Sequence, residues 1–137
     1  MGLALAIFLA FADIESVRTE ADPNRRSELA LLNADTKIDE ARQAYQAGNE
    51  SAEDAAIQEV ADSVTLCYAS LEQSRGEPRK SRYYKHAELK VSALMRRLSG
   101  FRDEVGLELR PHVEAALKRL SDVHDELISD IMSRKKQ

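Results

Sequence analysis

The sequence predicts an all-α protein, an antiparallel up-down bundle of four main helices preceded by a short apolar N-terminal segment. Of its 137 residues, 43% are apolar and 32% are charged, and the strong helix formers dominate. Five glycines and three prolines leave few breaks, so the segments between them are long. Apolar residues recur at spacings of three and four, whereas the alternation typical of strands is absent. The length suits one domain, which we place at residues 13–137.

The clearest helical pattern lies in residues 81–105. Its apolar positions alternate between spacings of three and four, as in a helix that packs one seam against partner helices. These positions are Tyr84, Ala87, Val91, Leu94, Leu98, Phe101 and Val105. The same stretch carries much of the positive charge of the chain. We therefore expect it to be the central packing element, with Leu94 and Leu98 almost fully buried.

The N-terminal residues 3–12 form an uninterrupted apolar run that Asp13 ends. About twenty residues are needed to span a bilayer as a helix, so this run is too short. The small residues Ala10 and Ala12 fit a signal-peptidase site, which predicts a signal peptide at residues 1–12 and no transmembrane span in the mature chain. The predicted location is periplasmic or secreted. Because Met1 and Gly2 supply no positive charge, a buried helix in a cytoplasmic protein is the alternative.

Capping signals divide the first half of the chain into two helices. Asp22 followed by Pro23 is typical of a helix start, and Gly48 stands where a left-handed C-terminal cap is expected. Ser51 and Asp54 then resemble a capping box, which predicts a second helix over residues 52–74. The connection is short, so these two helices should be antiparallel neighbours.

Two further helices are expected in the second half. Ser81 can cap the third, and Gly106 and Pro111 predict a break before the fourth. The inner face of the fourth helix is predicted to comprise Val113, Leu117, Leu120, Leu127 and Ile131.

The junction between the first two helices resembles that of a tetratricopeptide repeat. The similarity lies in Ala44-Tyr45-Gln46-Ala47-Gly48-Asn49, with Ala55 after it, and covers residues 30–75 at most. Glu50 stands where the repeat has a hydrophobic residue, and there is no second copy. The resemblance implies a protein-binding scaffold.

The net charge of −4 conceals a strong asymmetry along the chain. Residues 13–74 carry −9, residues 75–102 carry +7 and residues 103–137 carry −2. One interpretation is that acidic and basic helices face each other within the bundle. The other is that the basic segment meets an acidic partner or a phosphate backbone.

No motif for catalysis, cofactor binding or metal binding is present. The single cysteine, Cys67, excludes an intramolecular disulfide and falls on a helix seam. His86, His112 and His124 are scattered, without Glu-x-x-His or His-Glu-x-x-His spacing. His124 falls on the inner stripe of the fourth helix, where a histidine is usually a core or boundary residue with one hydrogen bond. We therefore expect no catalytic residue, no cofactor, no metal and no enzymatic activity.

The candidate interaction surface lies in the basic stretch 75–85. It comprises Arg79, Lys80, Arg82, Tyr83 and Lys85. The cations could contact phosphates and Tyr83 could stack on a base. The net acidity of the protein disfavours nucleic acid, since a polyanion would be repelled beyond this patch.

These observations favour an exported, non-catalytic helical bundle that binds a protein partner, which the sequence does not identify. The alternative is a cytoplasmic module that associates with nucleic acid or a membrane surface through residues 75–85. Asn49-Glu50-Ser51 fits the N-glycosylation pattern, but turn and cap chemistry already explains Asn49 and Ser51.

Overall fold

The computed structural model describes residues 13–133, and every regular element within that range is helical. The prediction of an all-α bundle is confirmed. A short helix precedes four long ones, and a 3-10 turn at Pro78–Lys80 lies between the third and fourth helices. The helices are α1 (Ile14–Arg18), α2 (Pro23–Gln46), α3 (Glu50–Gln73), α4 (Arg82–Glu104) and α5 (Arg110–Met132).

The ends of the helices follow local capping chemistry. Asp22 caps α2 by accepting a hydrogen bond from the Asn24 amide at 3.1 Å, and Gly48 takes the predicted left-handed conformation with φ 75°. The predicted cap of α3 was wrong. Asn49, not Ser51, accepts from the Ala52 amide at 3.1 Å, so α3 begins at Glu50.

The two later connections agree largely with expectation. Ser81 caps α4 through its hydroxyl, which accepts from the amides of Tyr83 and Tyr84 at 3.2 and 3.3 Å. The break before α5 comes slightly earlier than predicted. α4 ends at Glu104 and α5 already begins at Arg110, because Pro111 fits the first turn of a helix.

The four long helices form two hairpins that lie side by side. Hydrogen-bonded pairs run in opposite directions along α2 and α3, from Arg26 with Ser70 to Asn33 with Ser63. Between the hairpins, α2 packs beside α4 and α3 packs beside α5. The two helices of each of these pairs are parallel. In the simplest up-down bundle α3 would also pack along α4, but the two helices barely touch here.

The core is continuous across all four long helices. Every predicted seam position of α4 is buried, and Leu94 and Leu98 have no exposed surface. On α5, Val113, Leu120 and Leu127 are buried as predicted. Leu117 and Ile131 are only partly buried against the core.

A polar cluster anchors α1 to the bundle. The backbone amide of Ile14 donates to Glu59 Oε2 at 3.0 Å, and the same oxygen accepts from the side-chain amide of the buried Asn33 at 3.0 Å. Ile14 and Val17 are both 7% exposed, so α1 also contributes apolar contacts.

The signal peptide at residues 1–12 lies outside the described residues. None of the helices between residues 13 and 133 is long and apolar enough to cross a membrane.

Candidate functional site

The predicted interaction surface lies where the connection between the hairpins leads into α4. Arg79 and Lys80 belong to the 3-10 turn, whereas Arg82, Tyr83 and Lys85 form the first turn of α4. The four cations are exposed and Tyr83 is half-buried. The structure thus brings the five residues together at one end of the bundle.

Two local contacts organise this surface. Arg79 Nε lies 3.6 Å from Glu77 Oε1 in the same connection. Arg82 stacks on the Tyr83 ring with its guanidinium carbon 4.9 Å from the ring centroid, and it donates to the Tyr83 hydroxyl at 2.9 Å. One face of Tyr83 is therefore already occupied within the protein.

Charge pairing separates this surface from the rest of α4. Arg97 donates to Asp35 at 2.7 Å and to Asp39 at 2.6 Å, and Lys90 also pairs with Asp35. Internal neutralisation of basic by acidic helices thus holds for the middle of α4. Within residues 13–133, by contrast, no carboxylate lies within ion-pair distance of Lys80, Arg82 or Lys85.

An exposed apolar side chain continues the surface along α4. Arg82, Lys85 and Leu89 project from the outward face because they are three and four positions apart. Leu89 is 67% exposed, and Arg96 extends the same face. Of these residues, Leu89 supplies apolar area and the arginines belong to a residue type that is enriched in protein interfaces.

The sequence patterns did not indicate the most buried pair of an acidic side chain and a histidine within residues 13–133. The Glu53 side chain has no exposed surface, and its Oε1 and Oε2 lie 2.8 and 2.9 Å from His112 Nε2. Burial raises the pKa of Glu53, and the hydrogen bond and charge of His112 oppose that shift. Helical periodicity could have indicated that Glu53 is buried, because Glu53 lies four positions before Ile57 on the apolar seam that Ile57 and Val60 share.

The remaining candidates have structural partners. His124, predicted to be a core or boundary residue, is half-buried, and its Nε2 lies 2.9 Å from Glu88 Oε2. Cys67 is fully buried, and burial raises the pKa of its thiol to about 12, which keeps it protonated and unreactive. In the described range, no three His, Cys, Asp or Glu side chains are placed to hold a metal ion.

Residues 13–133 form an all-α bundle with an exposed basic surface where α4 begins. No protein-family model, no curated protein and no solved structure matches the chain. The resemblance to a tetratricopeptide repeat therefore gains no support. The hairpin Pro23–Gln73 consists of two helices of 24 residues each, whereas a whole repeat has about 34 residues.

Proposed function

We propose that the protein is an exported, non-catalytic interaction module that binds an acidic protein partner through its basic end. The interface comprises the candidate interaction surface together with Leu89. The observation that carries this proposal is the contrast in pairing along α4. Lys90 and Arg97 form close ion pairs with α2, whereas Arg82 and Lys85 are exposed and form no close ion pair within residues 13–133, Glu28 of α2 acting on Arg82 only at longer range. Cations in this state are available to a partner.

A protein partner is favoured over nucleic acid by two features of the surface. Arg82 covers one face of Tyr83, so a base would have to displace an intramolecular cation–π contact before stacking there. Leu89 offers apolar area, which a phosphate backbone does not use but a protein interface does. A nucleic-acid or membrane-surface module remains the alternative function.

Export is supported by the sequence alone, through the apolar run at residues 3–12 and the small residues before Asp13. Fractionation of cells that produce a C-terminally tagged protein tests it. We expect a chain shortened by the leader in the exported fraction. A full-length chain recovered in the cytosol would contradict export while leaving the binding proposal open.

The binding proposal is tested with a charge-neutralised variant carrying Arg79→Gln, Lys80→Gln and Arg82→Gln. The matched control carries Arg102→Gln, Lys118→Gln and Arg119→Gln, which removes the same charge from partly or fully exposed side chains away from the start of α4. Proteins captured by the parent are identified, purified and titrated against all three proteins at two salt concentrations.

We expect the neutralised variant to bind its partner about tenfold more weakly, with slower association and a smaller salt dependence. The control should bind like the parent. Equal binding by all three proteins would exclude this surface as the interface. Micromolar binding of a labelled single strand by the parent at physiological salt, lost in the neutralised variant, would instead establish the alternative function.

A further inference from the structure

A second feature at this end of the bundle is an acidic cleft of about 530 Å³. It lies where α3 ends, where the connection turns and where α5 ends. It is lined by Glu72, Ser74, Gly76, Glu77, Pro78, Tyr84 and Asp130. This volume lies within the range of small-molecule sites, about 300–1,000 Å³.

Three separate segments supply carboxylates to the cleft, and none of the lining residues within 13–133 is a cation. Glu77 is shared with Arg79 at 3.6 Å, and Asp130 Oδ2 accepts a hydrogen bond from the Tyr68 hydroxyl at 2.6 Å. Glu72 is exposed and has no ion pair or hydrogen bond with any residue from 13 to 133. The Tyr68 hydroxyl is a neutral donor, so the negative charge that no cation of residues 13–133 pairs with lies at Glu72 in α3 and at Asp130 in α5.

Tyr84 points independently to a ligand. The residue is only 4% exposed and belongs to the lining of the cleft, and its hydroxyl has no hydrogen-bond partner in the described chain. The hydroxyl oxygen is not fully buried, so it is accessible from the cleft. Burial, and then the charges of Asp130 and Glu72, raise the pKa of Tyr84 to about 12, so the phenol is neutral and can accept a hydrogen bond from a cationic donor.

The spread of the carboxylates selects the kind of cation. A metal ion needs its ligands gathered around one point, and in residues 13–133 no group of three acidic, histidine or cysteine side chains is gathered in that way. An elongated molecule with two or more nitrogen cations can instead place one charge at each carboxylate. Each such contact is a charge-assisted hydrogen bond, the stronger kind in proteins.

We propose that this cleft binds an organic polycation through two ammonium or guanidinium groups, one at Glu72 and one at Asp130, with Tyr84 accepting a further hydrogen bond. The same chemistry is offered by a free linear polyamine and by adjacent lysine side chains of a peptide.

The test is isothermal titration of the full chain with spermidine and, separately, with an acetylated and amidated Lys-Lys dipeptide. The variants are Glu72→Gln, Asp130→Asn and Tyr84→Phe. Asp125→Asn is the matched control, since Asp125 is an exposed residue of α5 outside the cleft. Thermal melts establish that each variant is folded, and the exposed Glu72 offers a substitution that leaves the core untouched.

We expect spermidine to bind the parent with one-to-one stoichiometry. Glu72→Gln and Asp130→Asn should each weaken binding about tenfold, and Tyr84→Phe several-fold. Asp125→Asn should change it less than about twofold, as a distant screened charge does. If the dipeptide binds at least as tightly as spermidine, the natural ligand is a pair of lysine side chains of a peptide. If spermidine binds more tightly, the natural ligand is a free polyamine. Absence of binding up to about 10 mM, or an equal loss in Asp125→Asn, would overturn the proposal.

Discussion

His112→Ala should destabilise the protein far more than a half-exposed histidine usually would. His112 lies in the first turn of α5 with its side chain 25% exposed, and its Nε2 contacts both oxygens of the fully buried Glu53. The other groups that act on Glu53 are the carboxylates of Asp54 and Glu50, and both are repulsive. Without His112, the Glu53 carboxyl group would be buried with no hydrogen-bond partner from residues 13–133.

The expected loss can be estimated from this geometry. Removing the hydrogen-bond partner of a buried polar group costs about 1–3 kcal/mol, and more when the group is charged. A charge on Glu53 increases the loss, whereas water that enters the space left by the imidazole reduces it, so we expect a loss of about 3 kcal/mol. Native domains have only about 5–15 kcal/mol of stability in total. Urea denaturation at neutral pH would measure the difference, with His86→Ala, at an exposed histidine of α4, as the control.

The pH dependence isolates the charge of Glu53. The folded-state pKa of this carboxyl is raised above its ordinary value of 4.5, so the folded state binds the proton more readily than the unfolded state. The free energy of unfolding therefore falls as pH rises from 4.5 through the raised folded-state pKa.

The double variant Glu53→Gln/His112→Ala lacks this titration. It should be more stable than His112→Ala at neutral pH, with an advantage that shrinks on mild acidification. If His112→Ala unfolds within about 1 kcal/mol of the parent, or if the double variant is no more stable than the single one, the buried pair does not act as described.

Two further predictions concern the helix packing. Leu94→Ala should lower the free energy of unfolding by about 2–5 kcal/mol because the side chain is fully buried. Leu32→Ala, at a side chain that is 59% exposed, should change it by less than about 0.5 kcal/mol. Equal urea midpoints for the two variants would show that Leu94 does not belong to the core. Partial burial raises the pKa of Asp35, but Lys90 and Arg97 outweigh it, so the net pKa lies below 3.8. Asp35→Asn should therefore lower the free energy of unfolding by about 1 kcal/mol at neutral pH. This difference should disappear as pH falls below 3.8, because the parent then also loses the charge of Asp35. Free energies of unfolding that depend on pH in the same way in parent and variant would contradict this.

Periodicity and capping made most of the secondary structure predictable. The seam of α4 and the Ser81 cap depend on residues a few positions apart, so the sequence shows them directly. The Asn49 cap was missed because Asn49 and Ser51 are both good capping residues, and only the turn geometry decides which side chain reaches an amide.

Periodicity and capping do not predict which helices are neighbours or where the polar sites lie. Glu53 and His112 are 59 positions apart, and nothing local indicates that α3 lies beside α5 rather than α4. The charge asymmetry was visible, but which cations are neutralised depends on the rotation of α4 about its axis. That rotation directs Lys90 and Arg97 towards α2 and leaves Arg82 and Lys85 facing outward.

The arrangement of the helices also bears on how copies of this chain could combine. The α2/α3 hairpin and the α4/α5 hairpin are joined only by residues 74–81, and each hairpin buries its apolar face against the other. If that linker were shortened until it could not fold back, the hairpins of two chains could exchange and restore every contact between them. Such exchange is a low-cost route from monomer to dimer. The eight-residue connection thus acts as a spacer that lets one chain complete its own bundle.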